Sequence, residues 1–296
     1  MNVKKIIGVD LGGTNVRVGL VTEDGHIIKE YKEKIEAHLG NSQIVEKIIS
    51  MIKKIDGYED AKGIGIGSPG FVDMEKGMII YASNIGFKNY PLKQELQKHF
   101  DLPIVIANDA NVAALAEAIL GAGKGKKIVQ YITISTGVGG GLVINGSVVN
   151  GSNGCAGELA NLITDDTVFN HELLNDGSLE LNASGTAVTK KAKEKFNNIN
   201  HAGDLLKMAR QGEPEAVEIY NKFLKDTAKA MSYIAHIVDS DVFVIGGGVS
   251  QSYDLFAADL EETYKEYIFD VMKENVNIQK AQLKDPGILG AAMLLK

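Results

Sequence analysis

Two widely separated stretches of this chain are written on the same plan, and that repetition limits the fold more than any other feature. Residues 6–10 read as a β-strand, Gly12-Gly13-Thr14 turns the chain into a second strand at 16–21, and Glu23-Asp24-Gly25 turns it into a third at 27–31. Far downstream, residues 128–135 are again β-rich. They are followed by Thr136-Gly137-Val138-Gly139-Gly140, a strand at 142–144, and an Asn145-Gly146 turn into Val148-Val149. Asn-Gly is a strong hairpin signal, because both central residues of a type I′ turn need positive φ. Each half therefore opens with a β-meander whose first turn is glycine-rich, which predicts two domains of similar plan.

Helical patterns fall between and after these meanders. Ile44, Val45, Ile48, Ile49 and Ile52 recur with the period of an amphipathic helix over 42–55. Residues 111–120 are alanine-rich and stop at Gly121-Ala122-Gly123, a glycine helix end. A long helical pattern covers 215–238, and 242–245 reads as a buried strand. Gly246-Gly247-Gly248 then reads as a turn, Ser250 as the N-cap of the next helix, and 287–296 as a short apolar helix. Mixed strands and helices define an α/β architecture. A chain of 296 residues has room for two domains, at roughly 150 residues each.

Composition excludes some partners. A net charge of −7 argues against nucleic acid and against a membrane surface, since both select a basic face. Anionic substrates remain open, because backbone amides and Mg²⁺ can hold phosphate without net basic charge. The one cysteine, Cys155, cannot form an internal disulfide, and a reducing cytoplasm is the expected compartment. Met1-Asn2-Val3-Lys4-Lys5 leads straight into a strand, with no apolar stretch suited to a signal peptide or a membrane span.

Several motifs carry chemistry. In Asp10-Leu11-Gly12-Gly13-Thr14-Asn15, two glycines let the backbone approach a phosphate, Thr14 offers a hydroxyl and an amide, and Asp10 can hold hydrated Mg²⁺. The same residues would also make a tight hairpin with an exposed aspartate. The second turn, Ser135-Thr136-Gly137-Val138-Gly139-Gly140-Gly141, repeats hydroxyls and glycines at the equivalent place and favours the phosphate reading. Gly246, Gly247 and Gly248, between a buried strand and a helix N-terminus, could let an adenosine lie flat against the backbone. Gly65-Ile66-Gly67-Ser68-Pro69-Gly70 matches a dinucleotide fingerprint formally. Pro69 interrupts it and Phe71-Val72-Asp73 continues extended, so a substrate-lining loop fits better than a phosphate-binding helix start. Asp109, after the apolar strand 104–106 and before the alanine-rich helix, is either a helix cap or a carboxylate that accepts a proton from a substrate hydroxyl.

Together these motifs resemble the sugar-kinase branch of the ROK family of repressors and kinases. The resemblance runs almost end to end. It rests on Asp10 to Asn15, on Asn108-Asp109-Ala110-Asn111-Val112-Ala113-Ala114-Leu115-Ala116-Glu117, on Ser135 to Gly141, on Ala156-Gly157-Glu158 and on Ser184-Gly185-Thr186-Ala187. It implies an actin-like (ribonuclease H-like) fold with ATP and sugar meeting in an interdomain cleft. It further implies a smaller domain over 1–107 and a larger one over 108–296, with the last helix, about 287–296, able to pack back on the first. By position, Asp109 would be the catalytic base and Asn108 a sugar ligand, with Glu158 and Glu180 holding ring hydroxyls. Gly70 with Ser83 and Asn84 would form the opposite wall. Asp10, Gly12, Gly13, Thr14, Asn15, Thr136, Gly137 and Gly246 to Gly248 would bind MgATP, Asp10 through the ion. A homodimer is implied as well.

The chain departs from that family at its zinc motif. The family's histidine and three cysteines fall on Asn161, His171, Leu173 and Ser178. Leucine cannot ligate and serine ligates zinc poorly, so no structural zinc is expected, and His171 is expected as a solvated loop residue. Cys155 is expected as a small packed side chain. Asn161, shorter and neutral, takes the place of the histidine that reaches the sugar near C1 and C2. Zinc-less members that this chain resembles include N-acetylmannosamine kinases. The expected reaction is phosphoryl transfer from MgATP to the 6-hydroxyl of N-acetylmannosamine, with glucose or another hexose (allose, fructose, a β-glucoside) as the alternative acceptor. A non-catalytic sugar sensor is a remoter reading. A repressor is disfavoured, because the phosphate turn begins at Asp10 and the charge is acidic.

Overall fold

The structure is a computed structural model and describes residues 4–35, 40–169 and 171–296. Its contacts divide the chain into two compact units: Met1–Gly125 with Gly141–Ala156 and Gln282–Lys296, and Lys126–Gly140 with Gly157–Ala281.

The first unit is built on the meander β1 (Lys5–Leu11), β2 (Asn15–Thr22) and β3 (Ile27–Lys34), followed by helix α1 (Asn41–Lys53). Strands β4 (Ile64–Ser68) and, after the small antiparallel set β5 (Phe71–Asp73), β6 (Met78–Ala82) and β7 (Phe87–Tyr90) with helix α2 (Leu92–Gln97), β8 (Ile104–Asn108) extend the sheet. The order is β3-β2-β1-β4-β8, with β1, β4 and β8 parallel. Helix α3 (Asp109–Leu120) follows β8 directly, and the closing helix Pro286–Met293 packs on β1, β4 and α3.

Of the segment read from sequence as a substrate-lining loop, Gly65 to Ser68 belong to β4, a central strand, and only Pro69 and Gly70 lie beyond it. Its Gly-Ile-Gly alternation is the period of two of a strand with unlike faces. Ile64 and Ile66 are fully buried in the core with Ile7, Val9, Ile104 and Ile106. The glycines turn the other way, towards helices. A Cβ on Gly65 would lie 1.7 Å from the carbonyl oxygen of Ala291, and one on Gly8 would lie 2.2 Å from that of Ile288. On Gly290 it would lie 1.8 Å from the carbonyl oxygen of Val112 in α3. The helix and the sheet touch backbone to backbone, which only glycine allows. These contacts group α3 with the first unit, whereas a division after residue 107 would assign it to the other half of the chain.

The second unit carries β9 (Ile128–Ile134) and the start of β10 (Val138–Ile144), which runs on to β11 (Ser147–Val148). Helices α4 (Leu179–Ala183), α5 (Gly185–Lys193), α6 (Ala202–Arg210) and α7 (Pro214–Val238) come next. They are followed by β12 (Val242–Gly246), α8 (Ala257–Lys265), α9 (Asp270–Lys273) and β13 (Ile278–Lys280). The second sheet has the order β11-β10-β9-β12-β13, with β9, β12 and β13 parallel. Its core joins Ile132, Ile134, Phe243 and Ile245 of the sheet to Phe223, Ala228 and Met231 of α7. Two expectations shift here. Strand β10 starts at Val138 rather than 142, so Gly139 to Gly141 are strand residues and the turn proper is Ser135 to Gly137. After β12 the chain enters a 3-10 helix, Gly248–Leu255, capped at Gly247, and Ser250 lies inside it with its hydroxyl donating to the carbonyl of Gly247.

Gly65→Ala should cost about 3 kcal/mol or more, since neither backbone can retreat. Gly67→Ala, whose Cβ would meet only the Val112 side chain at 3.3 Å, should cost about 1 kcal/mol. Urea denaturation of the two variants beside the parent chain measures the contrast.

Candidate active site

In the first unit the residues expected to handle phosphate gather where β1 ends. Asp10 stands opposite Arg17 in the β1–β2 register, with the guanidinium 3.9 Å from its carboxylate. Arg17 also donates to Glu30 at 2.8 Å and pairs with Asp285, just ahead of the closing helix. Burial holds the Asp10 carboxyl above the usual carboxylate range; Arg17 works against this, while Asp285 and Glu30 add to it. The turn beyond Asp10 is closed by the Gly12 amide donating to the carbonyl of Asn15 at 2.9 Å. The Asn84 side chain, in the 3-10 turn Ser83–Ile85, lies against Gly13: a Cβ there would be 3.1 Å from its amide nitrogen.

The strand-to-helix junction resolves the cap question. Asn108 is the N-cap of α3, its Oδ1 accepting from the amides of Ala110 (2.8 Å) and Asn111 (3.2 Å). Its Nδ2 donates to the carbonyl of Gly70 at 2.9 Å, so both ends of the Asn108 amide fix neighbouring backbone. Asp109 is thereby left at the first helical position, where the aligned peptide dipoles favour its ionised form.

The second unit contains a cavity of about 870 Å³. Ser135 and Thr136 of the β9–β10 turn line it, with Gly185, Thr186, Thr189, Lys190 and Lys193 of α5, the 201–203 segment, and Gly248, Val249, Gln251 and Ser252. Ser184 caps α5 by accepting from the amide of Ala187 at 3.1 Å, and the Gly185 amide donates to the Ser135 carbonyl at 2.8 Å. The helix start is thus tied to the turn, and its positive end suits an anion. Of the three consecutive glycines only Gly248 lines the cavity. Gly246 packs on the Tyr131 ring, where a Cβ would lie 2.1 Å from the hydroxyl. Reading from residues missed Thr189, Lys190, Lys193 and Gln251. The lysines fall three apart and share a face only once α5 is known to be a helix.

The carboxylates expected near a sugar lie in the same unit. Glu180, on α4, accepts from the amide of Val138 through Oε2 at 2.8 Å. A Cβ on Gly137 would sit 2.4 Å from that oxygen, which accounts for the glycine. Glu158 accepts from the amides of Leu159 (3.1 Å) and Ala160 (3.2 Å). Its carboxyl is pushed above the usual range by burial; those amides pull it back and Glu180 adds to the rise. At the four positions aligned with zinc ligands, Asn161 Oδ1 accepts from the amide of Asn175 at 2.7 Å. His171 Nδ1 accepts from Leu173 and Leu174 at 3.2 and 3.1 Å. Leu173 is exposed and the Ser178 hydroxyl is buried. Among the described residues no group of three His, Cys, Asp or Glu side chains is arranged to hold a metal, and no helix is long and apolar enough to cross a membrane. Cys155 is exposed rather than packed, because the loop between Gly151 and Gly154 carries it outward, its thiol directed at the Asn153 carbonyl at 3.4 Å.

Residues 6–296 match the ROK family, and the chain belongs to it. A glucokinase of Thermotoga maritima is 32% identical over 99% of this chain and 97% of its own length. A ROK family glucokinase from Streptomyces griseus, solved with glucose and AMPPNP, superposes with a TM-score of 0.79 at 29% identity, covering 98% of each chain. A proposed N-acetylmannosamine kinase from Listeria monocytogenes superposes at 0.83 with 25% identity, again over 98% of each. The fold is the actin-like α/β ATPase fold in two domains, and sugar phosphotransfer is the activity class that these relatives define.

A carboxyl whose pKa is raised by folding costs stability above that pKa and nothing below its unfolded value. Asp10→Asn should therefore melt higher than the parent at pH 8, with the difference shrinking as pH falls and gone below about pH 3. Calorimetric scans across that range read it directly.

Proposed function

We propose that this ROK protein transfers the γ-phosphoryl group of ATP to the 6-hydroxyl of an N-acetylhexosamine or hexose, with N-acetylmannosamine as the leading acceptor. The observation that carries this reading is Asp109 at the first position of α3, directly after the Asn108 that caps the helix. In this reading Asp109 takes the proton of the 6-hydroxyl as its oxygen bonds to the γ-phosphorus. The bond to the leaving ADP oxygen breaks, and ADP departs with those electrons. Glu158 and Glu180 accept hydrogen bonds from ring hydroxyls, and Gly70, Ser83 and Asn84 are further sugar-lining residues in this reading.

The nucleotide is assigned to the cavity of the second unit. There the end of β9, the start of α5 and Gly248 offer amides and small residues to phosphates and adenosine, and Lys190 and Lys193 offer charge. Asp10, Gly12, Gly13, Thr14 and Asn15 contribute a second set of phosphate-binding groups. Asp10, Glu30 and Asp285 gather around the single guanidinium of Arg17, a local excess of negative charge that a divalent cation would relieve, so the site suits Mg²⁺ arriving with ATP. When bound, that ion supplies charge neutralisation on the phosphates.

Asn161 supports the N-acetylated acceptor. A backbone amide must meet its carbonyl end, so Oδ1 faces Asn175 and the NH₂ donor remains for a ligand. An N-acetyl carbonyl at C2 is an acceptor that matches it. Glucose is the second reading, supported by glucokinases among the relatives.

A coupled ATP-consumption assay against N-acetylmannosamine, glucose, N-acetylglucosamine, fructose, allose and a β-glucoside tests the reading. One sugar should drive turnover, and Asp109→Asn should lower kcat by roughly 10³-fold or more. Sugar binding without turnover in the parent chain would leave a sensor. For the active sugar, KM should rise as pH falls into the raised titration range of Glu158, because its protonation removes an acceptor. Glu158→Gln should flatten that profile.

A further inference from the structure

The segment from Asn161 to Ser178 has little regular structure, yet it is densely tied. Its two arms pair as an antiparallel bridge at Ile163 and Ser178. The amide of Thr164 donates to the Gly177 carbonyl at 2.8 Å, and that of Gly177 to the Thr167 carbonyl at 2.7 Å. Beyond the bridge, the amides of Leu179 and Glu180 donate to the carbonyls of Leu162 (2.8 Å) and Ala160 (3.0 Å). The first turn of α4, which carries Glu180, is thus set by the incoming arm of the loop.

The side chain of Asp165 ties the loop to two helices. The Asp165 carboxylate accepts from the amide (3.0 Å) and hydroxyl (2.6 Å) of Thr167 within the loop. It also accepts from Asn182 Nδ2 at 2.8 Å on α4, and it pairs with Lys222 on α7. Asn182 is 1% exposed and sits two residues beyond Glu180 in the same short helix. Lys222 also donates to Asp226 at 2.8 Å, whose side chain is 1% exposed. Lys229, two turns beyond Lys222 on α7, donates to the Thr164 carbonyl at 2.8 Å. Gly177 leaves no slack: its φ is 69°, and a Cβ there would lie 1.8 Å from the Asp165 carbonyl oxygen.

We propose that Asp165 is a positioning residue: by fastening the 161–178 loop to α4 and α7 it sets Glu180, and through Glu180 it sets the amide of Val138 at the mouth of the β9–β10 turn. The sugar-affinity part of this proposal rests on the acceptor role given to Glu180 under Proposed function. The effect on Val138 does not.

An exposed ion pair would carry little of this, since surface pairs contribute almost nothing measurable. Asp165 differs because its partners are themselves fixed. Burial by itself would raise its pKa, but Lys222, Thr167 and Asn182 hold it well below the usual carboxylate range. Lys222 in turn is raised by Asp165 and Asp226 against the effect of burial. Asp165 and Lys222 are therefore both charged throughout the working pH range, and removing either leaves buried partners unsatisfied. A hydrogen-bonded support of this kind governs where a ligand-binding side chain rests, and a displacement of about 1 Å can cost roughly 100-fold in rate.

The test is Asp165→Asn in the full-length chain, which turns an acceptor towards the donors of Lys222 and Asn182 into a competing NH₂ group. Amide exchange at Val138, followed by mass spectrometry or NMR, should become at least about 10-fold faster, and KM for the active sugar should rise roughly 10-fold with KM for ATP within about 2-fold. Should that variant fail to fold, Asn182→Ala cuts the link to α4 while leaving Asp165, Lys222 and Asp226 paired, and it should give the same signature. Parent-like exchange at Val138 in either folded variant overturns the proposal, as does an unchanged sugar KM in a sugar-dependent enzyme. Faster exchange at Val138 in a chain that no sugar activates upholds the positioning role and removes the kinase reading instead.

Discussion

The closing helix lies directly on the backbone of the first sheet, and much of the first unit follows from that contact. Side chains would hold a helix and a sheet about 10 Å apart. Here Gly8 and Gly65 on the sheet and Gly290 on the helix remove that spacing. Carbonyl oxygens of the helix and of α3 occupy the space where Cβ atoms would stand. The close seat brings the start of the helix beside Asp10, so that Gly287 also has no room for a side chain. It likewise delivers Asp285 to Arg17, which then balances carboxylates from β1, β3 and the closing segment. One steric condition therefore shapes both the packing and the electrostatics around Asp10.

The second unit solves a different problem, the placement of polar groups in chain with little regular structure. Between Gly157 and Ser178 side chains take the part that a ladder would otherwise play. Asn161 and His171 satisfy the amides of residues 173–175, and Asp176 accepts from the amide of Phe169 at 2.6 Å. This is side-chain capping applied to a loop. It shows why the residues at the four metal-ligand positions of the family pattern suit this loop: two of them are hydrogen-bond acceptors at the points where turn amides need one.

The motifs were legible because turns are local. Gly12-Gly13-Thr14 and Ser135-Thr136-Gly137 lie between strands, as the alternation of glycine and β-branched residues implies. The reading failed where glycine had a packing reason instead of a turn reason. Gly65 and Gly67 looked like a loop because nothing in the segment itself records the distant residues, Ala291 and Val112, that lie against them. For the same cause Gly139 to Gly141 were read as turn although they are strand. Asn108 and Asp109 could each have been the cap, and only the hydrogen bonds of α3 show that Asn108 accepts from both Ala110 and Asn111 whereas Asp109 accepts from Ala110.

The sequence by itself determined the α/β architecture, the paired glycine turns, the family, and the absence of a cysteine-rich metal motif at the expected positions. Each of these is written in short windows or in residue identity, where period, turn chemistry and ligand chemistry act. The tertiary structure decided the division of the chain into units, with α3 and the closing helix grouped beside the first sheet. It also decided which of three glycines borders the cavity, the lysines of α5 that line it, the hydrogen bond of Val138 to Glu180, and the contacts of Asp165 with Asn182 and Lys222. Those depend on contacts between residues tens to hundreds of positions apart, and such contacts follow from steric fit and charge balance in three dimensions, which no local pattern encodes.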